Sequence, residues 1–344
     1  IVFGDWSSDV CSSDLPHKFR VYHLDIRTLA NDHELWSGDR IDSKPVVDTP
    51  PDFFSLDRQV DLILKGDPDA RFFIRVFIRP PQSWTKLHPA EYVIGETGVI
   101  ADTPSLASDT YWKAAAEFSG ANVAFVESRP WAARVVGYGN FHLAEGCHIP
   151  VAEGWLYDHN PSKVWKWREF LKKKYSTVQA LRAAYRDTSM TFDSADVPRD
   201  RLRGTIPEVS GLLYWQNASE NRPLRDYLEL TRDLFHRRFR QLGAAMESGA
   251  KRKVLILHDA LKQPMSGWNL LGFFAIGPER NMSWNLAYPE LMAGSGSIDV
   301  ARLFDGGPGF DGLVTPHDYQ ARGMGGVYEP EGMADSAVLR GKLF

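Results

Sequence analysis

The residues richest in chemistry lie between Arg134 and Trp155, in the stretch RVVGYGNFHLAEGCHIPVAEGW. Val135 and Val136 open it as a β-branched pair, the start of a buried strand. Gly137 and Gly139 follow, where a backbone turns or comes close to another group. Then come His142, Glu145, Cys147, His148, Glu153 and Trp155. Carboxylates and imidazoles move protons, and aromatic rings stack on ligands. An apolar strand running into such a loop therefore has the make-up of an active-site edge in an α/β protein. A solvated polar loop with ordinary surface acids is the other reading of the same residues. Two narrower readings are poorly supported. His142, Cys147 and His148 are metal-ligand types, but a zinc site needs three or four ligands and the rest have no recognisable spacing, so no metal is expected. Cys147 near a histidine has the parts of a nucleophilic dyad, yet no oxyanion hole or orienting acid is marked around it.

The elements that must position this stretch alternate strand and helix along the chain. FRVYHLDIRT (19–28) reads as a strand, and 31–51, rich in Asp and Pro, as a long loop. Leu56, Val60, Ile63 and Leu64 have helical spacing, which Gly66 stops. RFFIRVFIRPP (71–81) is apolar on both sides, as a buried parallel strand is. Its prolines leave Gln82, Ser83, Trp84 and His88 in the loop at its carboxyl end. Residues 105–129 read as a helix with Trp112, Ala116, Phe118 and Val123 inward. Asn160 and Pro161 form an N-cap and first-turn proline for a helix to Tyr175, with Val164, Trp167, Phe170 and Leu171 on one face. A second helix covers 177–186, and 188–222 is irregular. Pro223 starts a long helix buried through Leu224, Tyr227, Leu228, Leu234, Phe235 and Phe239. KVLILHDAL (253–261) is a strand ending in His258 and Asp259, and residues 285–292 form a helix. FDGLVTPHDY (310–319) is a strand ending in His317, Asp318 and Tyr319, and GKLF starts another.

Strand after strand thus ends in Trp, His, Asp or Glu. No glycine-rich phosphate fingerprint follows a first strand, and no GxxxxGK[ST] is present, which argues against nucleotide folds. The pattern fits an α/β fold, the (β/α)8 TIM barrel, whose chemistry collects at the carboxyl ends of its strands. Five strands and the start of a sixth are countable, so the barrel is expected to be incomplete at both ends.

Composition narrows the function classes. The chain has 344 residues, a formal charge of −4 and a pI of about 6.2, so no basic surface recommends a nucleic-acid partner. No run of about 18 apolar residues is present to cross a membrane as a helix. Residues 5–15, DWSSDVCSSDL, match the in-frame translation of a sequencing-library adapter. Residues 1–15 are accordingly set apart as an unstructured artefact, and 16–344 read as a partial catalytic domain. The true N-terminus is then absent, and a signal peptide and the compartment stay open. Without Asp5, Asp9 and Asp14 the formal charge of −4 becomes −1, and without Cys11 the remaining cysteine, Cys147, has no internal partner.

Over residues 19–344 the chain resembles retaining glycoside hydrolases with a (β/α)8 barrel, above all the beta-galactosidases of glycoside hydrolase family 42 and their uncharacterised bacterial relatives. DFFSLDRQVDLIL (52–64) is similar to the family's helix after the second strand. RVFIRPPQSWTKLHPAEY (75–92) is similar to its third strand and the following sugar-site loop. SLASDTYWKAAAEF (105–118) and RVVGYGNFHLAEG (134–146) resemble the next helix and the fourth strand. The segment from Glu153 to Tyr185 resembles the run after the acid/base loop. SIDVARLFDGGPGFDGLVTPHDYQARGMGG (297–326) and LRGKLF (339–344) resemble the sixth strand and the approach to the seventh.

The resemblance implies a two-carboxylate mechanism on a β-linked sugar, with carboxyls about 5–5.5 Å apart and no cofactor. The acid/base is a glutamate at the end of the fourth strand. The family's Asn-Glu pair is absent, since Phe141 follows Asn140. Relatives with "EW" after this strand favour Glu153, and nearness to the strand end favours Glu145. The nucleophile would follow the seventh strand, beyond Phe344. Trp84, Trp155 and Tyr319 are candidates to stack on the sugar, each with a core alternative. His88, Asn140, His142, His148, His258, Asp259, His317, Asp318 and Arg322 are candidates for its hydroxyls, although a lone strand-end histidine is commonly structural. A carbohydrate-binding barrel that does not hydrolyse is the alternative. Homo-oligomers through the missing domains are a further expectation.

Overall fold

The computed structural model describes residues 20–26, 36–37, 40–41, 56–78, 80, 82–96, 98–141, 158–198, 222–259, 307–314, 339 and 341–343. At its centre is a parallel sheet of five strands: β1 (Val21–Ile26), β4 (Arg71–Phe77), β7 (Val135–Phe141), β8 (Leu255–Asp259) and β9 (Gly312–Val314). They lie side by side in chain order, and Gly312 makes one further parallel bridge to Leu343. Doubly wound sheets reverse their strand order at a switch point, whereas this sheet advances in one direction, as barrel sheets do. Helix α1 (Leu56–Gly66) connects β1 to β4, and α3 (Asp109–Glu127) leads into β7. Helices α4 (Pro161–Tyr175), α5 (Val178–Tyr185) and α6 (Arg222–Ala250) lie between β7 and β8.

Local chemistry sets the helix starts as the spacing predicts. Ser108 caps α3 by accepting from the Tyr111 N–H at 2.9 Å, and Asn160 caps α4 by accepting from Ser162 at 2.8 Å with Pro161 next. The core-facing set on α3 is also as read, with Trp112, Ala116, Phe118 and Val123 all buried. Two regions depart from the reading. Residues 82–88 are not an open loop, because Gln82–Leu87 forms α2. After it come two short strands that alternation did not reveal, β5 (Tyr92–Ile94) and β6 (Ile100–Pro104), paired as a hairpin. The long polar segment before α1 likewise holds a two-residue pair, β2 (Trp36–Ser37) with β3 (Arg40–Ile41). Strands of two or three residues, such as β2, β3 and β5, are too short to show a period, and the sequence of β6, IADTP, does not alternate apolar with polar. The predicted helix over 285–292, the side chains of Leu224 and Leu228, and residues 1–15 lie outside the described residues.

Polar clamps hold the amino-terminal side of the sheet. The Arg252 guanidinium donates to both Glu127 carboxylate oxygens at 2.6 and 2.8 Å, and to the carbonyls of Ala132 and Val135 at 3.0 Å. Tyr138 donates to the same Glu127 at 2.5 Å. One arginine thereby ties the end of α3, the start of β7 and the turn into β8.

Helices α3 and α6 meet backbone to backbone. A Cβ placed on Gly249 would lie 2.4 Å from the Gly120 carbonyl oxygen. In a free helix Gly→Ala stabilises by up to about 1 kcal/mol. Here the added methyl must push two helices apart, so Gly249→Ala is expected to destabilise by about 1–3 kcal/mol. Urea unfolding monitored by circular dichroism measures this, and a gain in stability would contradict the close crossing.

Candidate functional site

All five strands run the same way, so their carboxyl ends share one edge, the edge where the sequence concentrates polar residues. Alternation sorts their side chains between two faces. One face packs on the helices. Leu24, Ile26, Phe72, Ile74, Val76, Tyr138 and Ile256 belong to one buried cluster with residues of α1, α3 and α6. On the opposite face β1 carries His23 and Asp25, β4 carries Phe73 and Arg75, and β7 has only Gly137 and Gly139 at the paired positions. The paired glycines bear out the reading of close approach. A Cβ on Gly139 would come within 3.0 Å of the Phe73 ring and 2.4 Å of the Leu257 carbonyl.

Asp25 and Arg75 are register partners, and Arg75 Nε donates to Asp25 Oδ1 at 2.7 Å. Their side chains keep 20% and 24% exposure, so this ion pair is reachable from solvent. The His23 ring lies 5.5 Å from that of Phe73. Burial, helped by the charge of Arg75 and opposed by Asp25, lowers its pKa to about 4. His23 is therefore neutral near pH 7.

Three of the predicted sugar contacts prove to be core residues. Asn140 is buried on the helix-facing side, where its Nδ2 donates to Ser119 Oγ of α3 at 3.1 Å. His258 is fully buried, with its ring parallel to Phe239 at 4.6 Å and to Phe310 at 5.6 Å. Its Nε2 lies 3.0 Å from the Gly309 carbonyl oxygen, which can only accept, so Nε2 carries the proton. Burial lowers its pKa to about 4 and keeps it neutral. Trp84 is buried as well, stacked on His88 at 4.4 Å and edge-on to Tyr111 at 5.8 Å. The physical reason is common to the three. Each points to, or sits in, the layer where helices cover the sheet, so residue type and strand-end position alone assigned them to the wrong side. His88 is half-buried in that aromatic cluster.

The stretch that carries Glu145 and Glu153 is bracketed by ordered elements. It leaves β7 at Phe141 and rejoins the described structure at Asp158. Asp158 is buried and accepts from Ser105 Oγ at 2.6 Å, from the Asn160 N–H at 2.9 Å and from the Ile94 N–H at 3.2 Å. Its own N–H donates to Tyr227 of α6 at 2.8 Å. Asp158 is thus moored to the β5–β6 hairpin, α4 and α6 together. Burial pushes the Asp158 carboxyl pKa up against the pull of Lys163. Lys163 is itself buried, donates to Thr231 at 2.9 Å and lies 4.6 Å over the Tyr227 ring. Burial lowers its pKa to about 8. Sequence reasoning passed over Asp25, Arg75, Asp158 and Lys163. A signal existed for Lys163, which shares the apolar face of α4 four residues before Trp167, and for Asp25 and Arg75, which alternate with strand residues that face the helices.

His142, Glu145, His148, Glu153, Trp155, His317, Asp318, Tyr319 and Arg322 lie outside the described residues, as does the side chain of Asp259. Among the described residues no group of three or more His, Cys, Asp or Glu could hold a metal ion. No helix among them is long and apolar enough to cross a membrane.

No protein-family model matches the sequence, and no curated protein matches it. Solved structures do match. The catalytic domain of beta-amylase from Paenibacillus polymyxa is 13% identical, with a TM-score of 0.52 over 83% of this chain and 66% of its own. The beta-galactosidase of the psychrophilic Marinomonas ef1 is 15% identical, with a TM-score of 0.44 over 65% of this chain and 33% of its own. That of the Antarctic haloarchaeon Halorubrum lacusprofundi is 16% identical, with a TM-score of 0.47 over 65% and 31%. The chain spans about a third of the length of these beta-galactosidases and just under two thirds of the beta-amylase domain. What is shared with the beta-amylase domain is the fold, a mixed α/β structure on a parallel sheet.

The neutral histidines make acid stability predictable. Unfolded histidine takes up a proton near pH 6.5, whereas buried His258 does so near 4. Between these values the unfolded state binds the extra proton, so stability falls as pH drops through the window, by about 1.4 kcal/mol per pH unit for one such group. His258→Phe retains a flat ring between Phe239 and Phe310 and should flatten the decline between pH 6.5 and 4 by about one proton's worth. Chemical unfolding at a series of pH values checks this, and an unchanged slope would place the acid sensitivity elsewhere.

Proposed function

We propose that this chain is part of a (β/α)8 barrel of a retaining glycoside hydrolase that cleaves a β-linked sugar. The single observation that carries the reading is the sheet. Five parallel strands advance in chain order, with one further bridge at Leu343, and deliver the loops after β4, β7, β8 and β9 to one edge. Likeness in fold to a beta-amylase catalytic domain supports a carbohydrate-active barrel over the many other uses of that architecture. The family resemblance in the sequence supplies the rest. Glu153, or Glu145, protonates the leaving oxygen and then deprotonates water, while a second carboxylate attacks the anomeric carbon. The family resemblance puts that nucleophile at the end of the barrel's seventh strand. Trp155, His142, His148, Asp259, His317, Asp318, Tyr319 and Arg322 remain the candidates to hold the sugar.

A general acid works with a raised pKa, which burial or a neighbouring carboxylate's charge supplies. In the complete protein, Glu153→Gln should lower kcat by about 10²–10⁴-fold, least for aryl glycosides whose leaving groups need no proton. If Glu145→Gln has this pattern instead, the two glutamates exchange roles. Sugar binding with no turnover of any β-glycoside would replace the hydrolase with the non-catalytic carbohydrate-binding barrel.

A further inference from the structure

The Asp25–Arg75 ion pair keeps partial solvent exposure on the sheet face opposite the helices. Both residues lie on the sheet face turned away from the helices, near the carboxyl ends of adjacent strands. On the helix-facing side the neighbouring positions Leu24, Ile26, Ile74 and Val76 are all apolar and at most 4% exposed. Next to Arg75 on the other flank the register partner is Gly139, which has no side chain. An ion pair inside a fold adds little net stability, because desolvation offsets the attraction. The same face shows that apolar filling is available, since Phe73 and Leu257 are buried on it.

We propose that Asp25 and Arg75 form a hydroxyl-binding pair on the inner face of the sheet, a specificity-determining contact for the carbohydrate. The inference rests on the carbohydrate reading above and deepens it. Neighbouring sugar hydroxyls act as donor and acceptor at once. A carboxylate takes their protons in hydrogen bonds, and the planar guanidinium fork donates to their oxygens. The 2.7 Å bond between the two groups orients both in advance, so little ordering is left for ligand binding.

The test uses the intact chain, with methyl β-D-galactopyranoside and methyl β-D-glucopyranoside as probes in NMR titrations and thermal unfolding in parallel. Arg75→Lys keeps the charge but loses the fork. The exchange Asp25→Arg/Arg75→Asp keeps an ion pair in the same register while reversing its donors and acceptors. A binding role predicts that both variants unfold at close to the parent temperature while the better-bound sugar weakens by about tenfold or more. Unchanged affinity in both variants overturns the proposal. So does the absence of sugar binding by the parent chain, or unfolding of both variants, which would make the pair structural. The two readings separate cleanly. Turnover that depends on Glu153 together with Arg75-independent affinity leaves the hydrolase standing and removes this inference. Arg75-dependent sugar binding, with no turnover of any β-glycoside by the complete protein, does the reverse.

Discussion

A parallel strand has two faces and one direction, and this structure depends on both properties. Every strand of the central sheet points the same way, so one edge receives all the connecting loops that follow them. Alternation then decides what each strand can offer at that edge. Leu24, Ile26, Phe72, Ile74, Val76 and Tyr138 serve the helix-facing core, and the intervening positions His23, Asp25, Phe73 and Arg75 face the other way. A shift of one residue in register would exchange the two sets and bury the Asp25–Arg75 pair under helices. The sheet's chemistry is thus inseparable from its pairing.

The helix layer is held by a few polar groups that burial makes consequential. Arg252 gathers Glu127 and two backbone carbonyls at the amino-terminal side, and Asp158 gathers three donors beyond the carboxyl end of β7. In each case one charged side chain meets several partners, the arrangement that compensates desolvation. Lys163 shows the same logic in reverse, since its burial beside Tyr227 weakens its hold on a proton. These groups join elements far apart in the sequence, including a hairpin, a helix start and a helix interior. They hold the start of β7 and Asp158, which flank residues 142–157 and their two glutamates.

Long, strongly patterned elements were legible in the sequence. The two-sided apolar run from Arg71, the helix read over 105–129, the Asn-Pro-led helix and the strand opened by Val135 and Val136 are all present. Their order, strand then helix, was enough to imply a parallel sheet, because parallel neighbours need crossover connections. The hairpin of β5 and β6 and the helix over Gln82–Leu87 were not legible, since β5 and the helix are too short for a period to declare itself and β6 does not alternate. Among site candidates, Trp84, Asn140 and His258 carried suitable chemistry at suitable places along the chain, and tertiary packing gave all three to the core.

The amino-acid sequence by itself determined which residues sit at strand ends, since apolar alternation and glycine or proline punctuation are local properties. It also set the chemical inventory of the edge, with its glutamates, histidines and tryptophans. Only the tertiary structure decided which face each of those residues occupies, because a face has meaning only once helices cover one side of the sheet. That is why His258, sandwiched by Phe239 and Phe310, is structural while Arg75, four residues into its strand, stays reachable from solvent. The stretch from Arg134 to Trp155 shows the division most plainly. Its strand is legible in Val135 and Val136, but the place of the buried Asp158 beyond it is set by Ser105, Ile94 and Tyr227, partners that folding brings from other parts of the chain.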